Sequence, residues 1–412
     1  MRTAKVVIGA AWGDEGKGLV TDAFADSSTL VVRFNGGAQA GHTVVAPDGR
    51  RHVFHHVGSG SFRGAKTYLS RYFLSNPLLF FTEMEELKSL GVTPQVLADP
   101  LGVVTTPYDM MLNQMIEESR GNSRHGSCGL GINETVTRHE KSGIPSLRVG
   151  DLSKRGFVEN TLHDIRELWV PRRLAALELK PDASWQARLD SDAVLEAFSD
   201  MAQLYIGTVT VADNGICSHH GSVLFEGAQG LLLDERHRWF PHVTRSRTGL
   251  TNVEILAREA GIEALDLTYV TRAYATRHGA GPFPREVAGL RYHDWTNVPN
   301  MWQQTLRFGL LDLDLLAETV GEDLSHANLQ VQHSLAFTCL DQVGDRVQFW
   351  LGETQHCTSP ENLAKTACEK IGGNSLASYG PTRETFNKDI GRLPQRSTPL
   401  VPKQVKRTIE SS

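Results

Sequence analysis

The chain has 412 residues, 40% of them hydrophobic and 22% charged, and its 42 Lys and Arg against 47 Asp and Glu give a formal net charge of −5. That is an ordinary globular composition, long enough for two or three domains or for one large α/β unit. The acidic balance supplies no basic field for nucleic acid, and no apolar run approaches the ~18 residues of a membrane span, so neither partner is expected. Met1-Arg2-Thr3 leads directly into an apolar run, so no signal peptide is expected. Cys128, Cys217, Cys339, Cys357 and Cys368 form no Cys-x-x-Cys pair, and the odd number fits reduced thiols in a cytoplasmic setting.

The first element in chain order is a strand over residues 5–10, carried by Val6-Val7-Ile8. Gly9, Gly13, Gly16 and Gly18 then punctuate a turn, and Lys17 opens a helical stretch with Leu19, Val20, Ala23 and Phe24 on its apolar face. Strand, glycine loop, lysine and helix make an arrangement that cradles phosphates. Glycines let backbone N–H groups approach the oxygens, the helix start adds positive potential, and the lysine reaches the outer phosphates. The loop is P-loop-like rather than a regular Walker loop, because Ala11 stands for the first glycine and Gly18 for the hydroxyl residue that would hold Mg²⁺. Asp14 and Glu15 place two carboxylates beside the phosphate position, a cost that a metal or a proton-transfer role offsets. A glycine turn with a solvated acidic tip is the plainer reading of the same residues.

A second strand over 30–34 leads to an Ala-Gly-His turn ending at His42, and a histidine near a phosphate loop can donate a proton to a developing oxyanion. Together, Trp12-Gly13-Asp14-Glu15-Gly16-Lys17-Gly18 and Val31-Val32-Arg33-Phe34-Asn35-Gly36-Gly37-Ala38-Gln39-Ala40-Gly41-His42-Thr43 resemble the adenylosuccinate synthetase family. That family's pattern is WGDEGKG followed by VVR-x-x-GG-x-NAGHT. The resemblance implies that Asp14, His42 and Lys17 are catalytic. Asp14 would take the N1 proton of a 6-oxopurine and ligate Mg²⁺, with the Gly41 carbonyl as a second metal contact. His42 would stabilise O6 as it receives the γ-phosphoryl group, which the amine of L-aspartate then displaces. The same resemblance implies nucleotide contacts at Gly13, Glu15, Gly16, Lys17, Gly18, Gly41 and Thr43, a substrate contact at Gln39, and a homodimer.

Further along, a helix is predicted over 110–119. Residues 126–131 then stand where the family has GTTGRG, so Ser127 and Cys128 are the implied contacts to the substrate 5′-phosphate. A thiol is the weaker donor, and a flexible glycine turn accounts for the segment equally well. Arg148, in the matching stretch 147–152, is another implied substrate contact. Arg138 and Lys141 are the candidates for an arginine-like reach to the partner subunit's substrate phosphate. A helix over 158–176 belongs to a charge-rich helical insertion at about 153–206. A strand over 222–225 opens the block Phe225-Glu226-Gly227-Ala228-Gln229-Gly230, in which the resemblance places Gln229 at the purine O6 edge, and Thr244 downstream at the phosphate. A strand over 267–274 precedes the segment 273–284, nearly AYSTR-x-GAGPFP, whose Gly and Pro fix a backbone wall. Strands over 334–340 and 346–351 follow. Asp341 stands in the guanine-reading motif, and Ser378 and Gly380 lie in a stretch that resembles STGPDR around the same base. Strands alternating with helices predict an α/β fold, a mostly parallel central sheet flanked by helices, with ligands at the carboxyl ends of the strands. We expect one domain over 1–412 with helical insertions and a flexible tail at about 400–412. His219-His220 beside Cys217 reads as a surface turn rather than a metal site, and Trp239, Trp302 and Trp350 either line the site or pack.

Four departures from the family fall in the implied site. Gln39 replaces asparagine, Cys128 replaces threonine, Cys339 replaces a lysine, and Gln304-Thr305-Leu306-Arg307 replaces four arginines, with only Arg307, an implied substrate contact, in register. Loss of bidentate arginines is not neutral. The pattern is similar to that of the bacteriophage branch that makes N6-succino-2-amino-2′-deoxyadenylate from dGMP, for which the setting is the host cytoplasm. A deoxyribose has no 2′-hydroxyl for an arginine to contact. That branch is associated with ATP or dATP as donor, in keeping with Cys339, whereas Asp341 points to GTP. The expectation is an NTP-dependent ligase that joins L-aspartate to C6 of a 6-oxopurine nucleoside monophosphate, dGMP first and IMP with GTP as the alternative. A non-catalytic nucleotide-binding relative is the second alternative.

Overall fold

The computed structural model describes residues 1–387 except 122, 123, 125, 295, 296 and 298–305. The expected tail, Trp302, Gln304 and Thr305 lie outside the described residues. The first strand, Thr3–Gly9, pairs in parallel with Ser222–Gly230 on one side and Ala264–Arg272 on the other. Its side chains alternate as a strand's must: Val6 and Ile8 enter one hydrophobic cluster and Val7 another. The first cluster gathers Val253, Leu316 and Leu363 from the helices Leu250–Glu259, Leu313–Ser325 and Pro360–Ile371. Val20, from the helix Lys17–Phe24, belongs to the second. Both faces of the sheet are therefore covered, which is what a parallel sheet with continuous apolar strands requires.

Among the described residues ten strands make up this sheet, in the order Phe386–Asn387, Asn374–Ser378, Gln330–Thr338, Ala264–Arg272, Thr3–Gly9, Ser222–Gly230, Thr29–Arg33, Lys66–Leu69, Val96–Ala98, Thr210–Val211. Every pairing in it is parallel except the one between Phe386–Asn387 and Asn374–Ser378. The fold is thus α/β with a large parallel sheet flanked by helices, as expected. Two boundaries differ from the sequence reading. Val347–Leu351 leaves the large sheet for a small one with Leu311–Asp312 and Thr354–Thr358, and the run expected at 267–274 divides into Ala264–Arg272 and Ala275–Arg277.

The helical insertion surrounds a third cluster that includes Trp169, Trp185 and Phe198. Its long expected helix over 158–176 is broken into Arg155–Asp164, a π-helical turn Ile165–Trp169, and Val170–Ala176. Pro171 is the cause: it has no N–H to continue the ladder, and its ring crowds the turn before it. No described helix is long and apolar enough to cross a membrane.

One buried carboxylate in this frame yields a stability prediction. Asp323 accepts from the Leu250 N–H and the Tyr269 hydroxyl, each at 2.8 Å, and burial pushes its pKa from 3.8 to about 6. A raised folded-state pKa contributes stability below the unfolded value and loses it as pH climbs through the folded one. Asp323→Asn keeps an acceptor for Leu250 and a donor for Tyr269 without a charge to desolvate. We expect the variant to melt above the parent at pH 8, by on the order of 1–3 kcal/mol, with the gap closing at pH 4. Thermal melts at the two pH values measure it.

Candidate active site

Where Thr3–Gly9 ends, the chain turns through Gly13 (φ 90°), Asp14 (φ 60°) and Gly16 (φ 97°) and enters the helix at Lys17. Gly9 is required by close approach: a Cβ there would stand 2.7 Å from the Gln229 carbonyl oxygen. Glu15 and Lys17 are each only 3% exposed. The Glu15 carboxylate turns inward, accepting from the N–H groups of Ala11 (3.1 Å) and Gly13 (2.7 Å) and pairing with Lys17 Nζ at 3.1 Å. The side chain expected at the nucleotide is therefore an internal strut of the loop. Its charge is tolerable because two N–H groups and an ammonium neutralise it.

Seven of the residues singled out in the sequence, Asp14, Gly16, Lys17, Gly18, Gly41, His42 and Thr43, line one cleft of about 430 Å³, together with Arg272, Asp294 and Asn297. A second crevice of about 290 Å³, behind Trp12 and Leu232, is almost wholly apolar and holds none of the phosphate-loop lysine or histidine chemistry. His42 opens the short strand His42–Val45 and is 5% exposed. Its Nδ1 lies 2.7 Å from Glu226 Oε1, and Glu226 also accepts from the Ser59 N–H (3.1 Å) and hydroxyl, with Arg33 Nη1 at 3.9 Å. Burial draws the His42 pKa down to about 4 against the pull of Glu226. Burial raises Glu226 in turn, but His42 and Arg33 outweigh it and hold the carboxyl at about 2. The ring nitrogen facing the carboxylate, Nδ1, is the donor of this pair, and Nε2 is buried with no partner among the described residues.

Asp14 is about one quarter exposed, and its Oδ2 lies 3.2 Å from His278 Nε2. Burial raises its pKa, but the hydrogen bond and charge of His278, with Arg272 and Lys17, overcome that and bring it to about 2. An ionised carboxylate beside a phosphate loop suits Mg²⁺, which takes hard oxygen ligands and is commonly held by one or two protein groups plus substrate phosphates. Asp14 and the Gly41 carbonyl supply that kind of donor. Among the described residues no cluster of three His, Cys, Asp or Glu side chains forms a complete protein cage for a metal.

Residues 6–366 match the family model for adenylosuccinate synthetase. The chain belongs to the adenylosuccinate synthetase family. It is 33% identical over 288 residues to the adenylosuccinate synthetase of Chromohalobacter salexigens, an alignment covering 68% of this chain and 64% of that protein. With the Clostridium novyi enzyme it is 36% identical over 299 residues, 69% of this chain and 66% of the relative. The chain thus spans about two thirds of the length of these relatives. In fold it is similar to fully ligated adenylosuccinate synthetase from Plasmodium falciparum, with a TM-score of 0.72, 18% identity, and 93% and 99% of the two chains covered. It is also similar to cyanophage S-2L succinoaminodeoxyadenylate synthetase bound to dGMP and dATP, with a TM-score of 0.58, 16% identity, and 94% and 95% covered.

In this member of the adenylosuccinate synthetase family, the second wall comes from the end of Ser222–Gly230. Asn35 clamps Ala228 from both sides, accepting its N–H at 2.7 Å and donating to its carbonyl at 3.0 Å. That clamp sets Gln229 (φ 63°) against Gly13. Both ends of the Gln39 amide are buried with no partner among the described residues, while the Thr244 N–H is tied to the Leu233 carbonyl at 2.9 Å. Ser127 donates to Asn113 at 2.9 Å, and Glu117 accepts from the N–H groups of Gly126 and Ser127, so the 126–131 loop is pinned to the helix Pro107–Ser119. Burial pushes the Cys128 thiol up to about 11, which makes it a neutral wall and not a thiolate. At the other end, Ser378 donates to the Gly380 carbonyl at 2.8 Å, on the strand beside Gln330–Thr338 and its exposed neighbour Asp341.

Three arginine expectations change. Arg138 is fully buried and grips Asp109 through Nε and Nη2, both at 2.8 Å, so it is not the residue that reaches across a dimer. Lys141 is exposed. Arg148 donates to the Leu101 carbonyl at 2.7 Å and does not line the cleft. Arg307 braces the wall, bonding Glu286 and the carbonyls of Gly279 and Gly281 at 3.2 and 2.9 Å. Sequence reasoning gave no role to Glu226, Arg272 or His278, although each stands in or beside a motif already quoted. Asp294 and Asn297 come from a stretch with no motif at all.

Proposed function

We propose that this chain is an NTP-dependent ligase joining the amine of L-aspartate to C6 of a 6-oxopurine nucleoside monophosphate. The observation that carries the reading is the shared cleft: Asp14, its carboxyl held low, a His42 whose buried Nε2 has no partner among the described residues, and Lys17 of the glycine loop. The loop N–H groups not engaged by Glu15, with Lys17, hold the donor's phosphates; Asp14 and the Gly41 carbonyl would hold Mg²⁺, which would supply neutralising charge there. Asp14 withdraws the proton from purine N1, so negative charge gathers on O6 in line with the γ-phosphorus. Phosphate charge beside His42 raises its affinity for a proton, and the protonated Nε2 then donates to the O6 being phosphorylated while Glu226 steadies Nδ1. O6 takes the γ-phosphoryl group as its bond to the nucleoside diphosphate breaks; aspartate nitrogen then attacks C6 and gives up a proton, the C6–O bond breaks, and phosphate departs with the oxygen and the proton.

For the acceptor we favour dGMP. Gln304-Thr305-Leu306 in place of three arginines suits a sugar without a 2′-hydroxyl, and the cyanophage structural neighbour is bound to dGMP and dATP. Cys339 supports ATP or dATP as donor. Asp341, which is exposed and stands in register with the family's guanine-reading motif, supports the second reading, IMP with GTP. A homodimer, with Lys141 facing the partner, and a cytoplasmic setting belong to the same proposal.

The test incubates the protein with Mg²⁺, aspartate, each of ATP, dATP and GTP, and each of dGMP, GMP and IMP, and reads succinylated purine by mass. Product chiefly from dGMP is expected. Product chiefly from IMP would overturn the acceptor and leave the ligase standing, whereas nucleotide binding without product in every mixture would sink the ligase.

A further inference from the structure

Asp14 does not stand alone at the tip of the loop. His278 Nε2 lies 3.2 Å from its Oδ2 and 2.9 Å from Asn297 Oδ1. A nitrogen between two oxygens must carry a hydrogen, so this nitrogen is a donor whatever the state of the ring. Asn297 in turn donates from its amide and its backbone to Asp294, each at 2.9 Å. Asp294 Oδ2 accepts from Arg272 Nη2 at 3.0 Å, and Arg272 Nε donates to the backbone carbonyl of Asp14. The ring closes on itself: Asp14, His278, Asn297, Asp294, Arg272 and Asp14 again. It grips the residue by side chain and by main chain.

Two features make this more than surface decoration. Asp14 is a non-glycine residue at φ 60°, a backbone uncommon among L residues though open to Asp and Asn. His278 also occupies the one position of the segment 273–284 that the family pattern leaves open, and Asn297 and Asp294 lie where that pattern fails. Oδ2 is engaged, and Oδ1 has no partner among the described residues.

We propose that His278 is a positioning residue that fixes the Asp14 carboxylate through Oδ2 and leaves Oδ1 as the oxygen that works on the ligands. The idea rests on the ligase reading for its kinetic consequence and on geometry alone for the contact. A group that orients an acting side chain without touching substrate affects turnover more than binding, typically by 10- to 100-fold.

The experiment compares His278→Ala, His278→Gln and Asn297→Ala in the full chain with the best acceptor and donor. His278→Ala is expected to lower kcat about 10- to 100-fold with KM for acceptor and donor within about threefold. His278→Gln, whose amide reaches to the place of Nε2, restores most of it, and Asn297→Ala falls between. In ¹⁵N-histidine-labelled wild-type protein, the His278 Nε2 should bear a proton that Asp14→Asn alters. Equal kcat in His278→Ala and the parent, or glutamine no better than alanine at matched Tm, would overturn the assignment. An inactive parent with the Nε2 proton in place would sink the ligase and spare the contact; a bare Nε2 would sink the contact whatever the activity. If His278→Ala does not fold, the Gln and Asn297 variants and the labelled spectrum decide alone.

Discussion

Asp14→Asn is expected to remove turnover, by roughly 10²–10⁴-fold in kcat, while nucleotide affinity changes by about tenfold or less. Asparagine is the informative replacement because residue 14 sits at φ 60°, where Asn is at home and Ala is strained by about 1–2 kcal/mol. The amide keeps the shape and an acceptor oxygen for His278, and loses only the charge and the basic lone pair. Single-turnover product formation beside calorimetric binding separates the two effects. The carboxylate's low pKa, about 2, gives a matching pH signature. A depressed acid stays ionised until pH falls through its folded value, so the base is ready throughout the neutral range and any acid limb above pH 4 must arise elsewhere. Turnover within tenfold of the parent would assign the N1 proton to another group.

The second large effect is expected at Glu226. This carboxylate is fully buried and serves His42, both donors of Ser59, and Arg33. Glu226→Gln offers one acceptor where several donors converge, and leaves Arg33 without its opposite charge. Breaking one partner of a buried ionic network costs on the order of 3–5 kcal/mol, so a lower Tm is expected together with a 10- to 100-fold fall in kcat. A double-variant cycle tells the two apart. If Glu226 acts through His42, adding Glu226→Gln to His42→Asn costs little further kcat, though the Tm penalty persists. Additive losses in kcat would give Glu226 a role of its own.

The phosphate loop was legible because its signals are local: three apolar residues, four glycines at fixed spacing, and a lysine at a helix start. The sheet was legible in its middle, where strands such as Ala264–Arg272 and Gln330–Thr338 run nine residues. Its outer strands Lys66–Leu69 and Val96–Ala98 are four and three residues long, too short to show a period. Charge was read least well. Arg138 looked available for a partner because its carboxylate, Asp109, lies 29 residues away in sequence. Glu15 looked like a ligand-facing acid because nothing in Asp14-Glu15 says which of the two turns inward. Asp294 and Asn297 were invisible for a related reason: a ring of hydrogen bonds closed in space has no spacing to read.

The inward strut of Glu15 bears on donor choice. Two of the loop's N–H groups, those of Ala11 and Gly13, and its lysine are held by Glu15, so the loop keeps its shape through its own side chain, and on the proposed reading a triphosphate tail meets it with little rearrangement. On the same reading, discrimination between adenine and guanine falls to the base-reading motif that carries Cys339 and Asp341, and exchanging residues there is expected to swap donor preference without disturbing the chemistry at the tail.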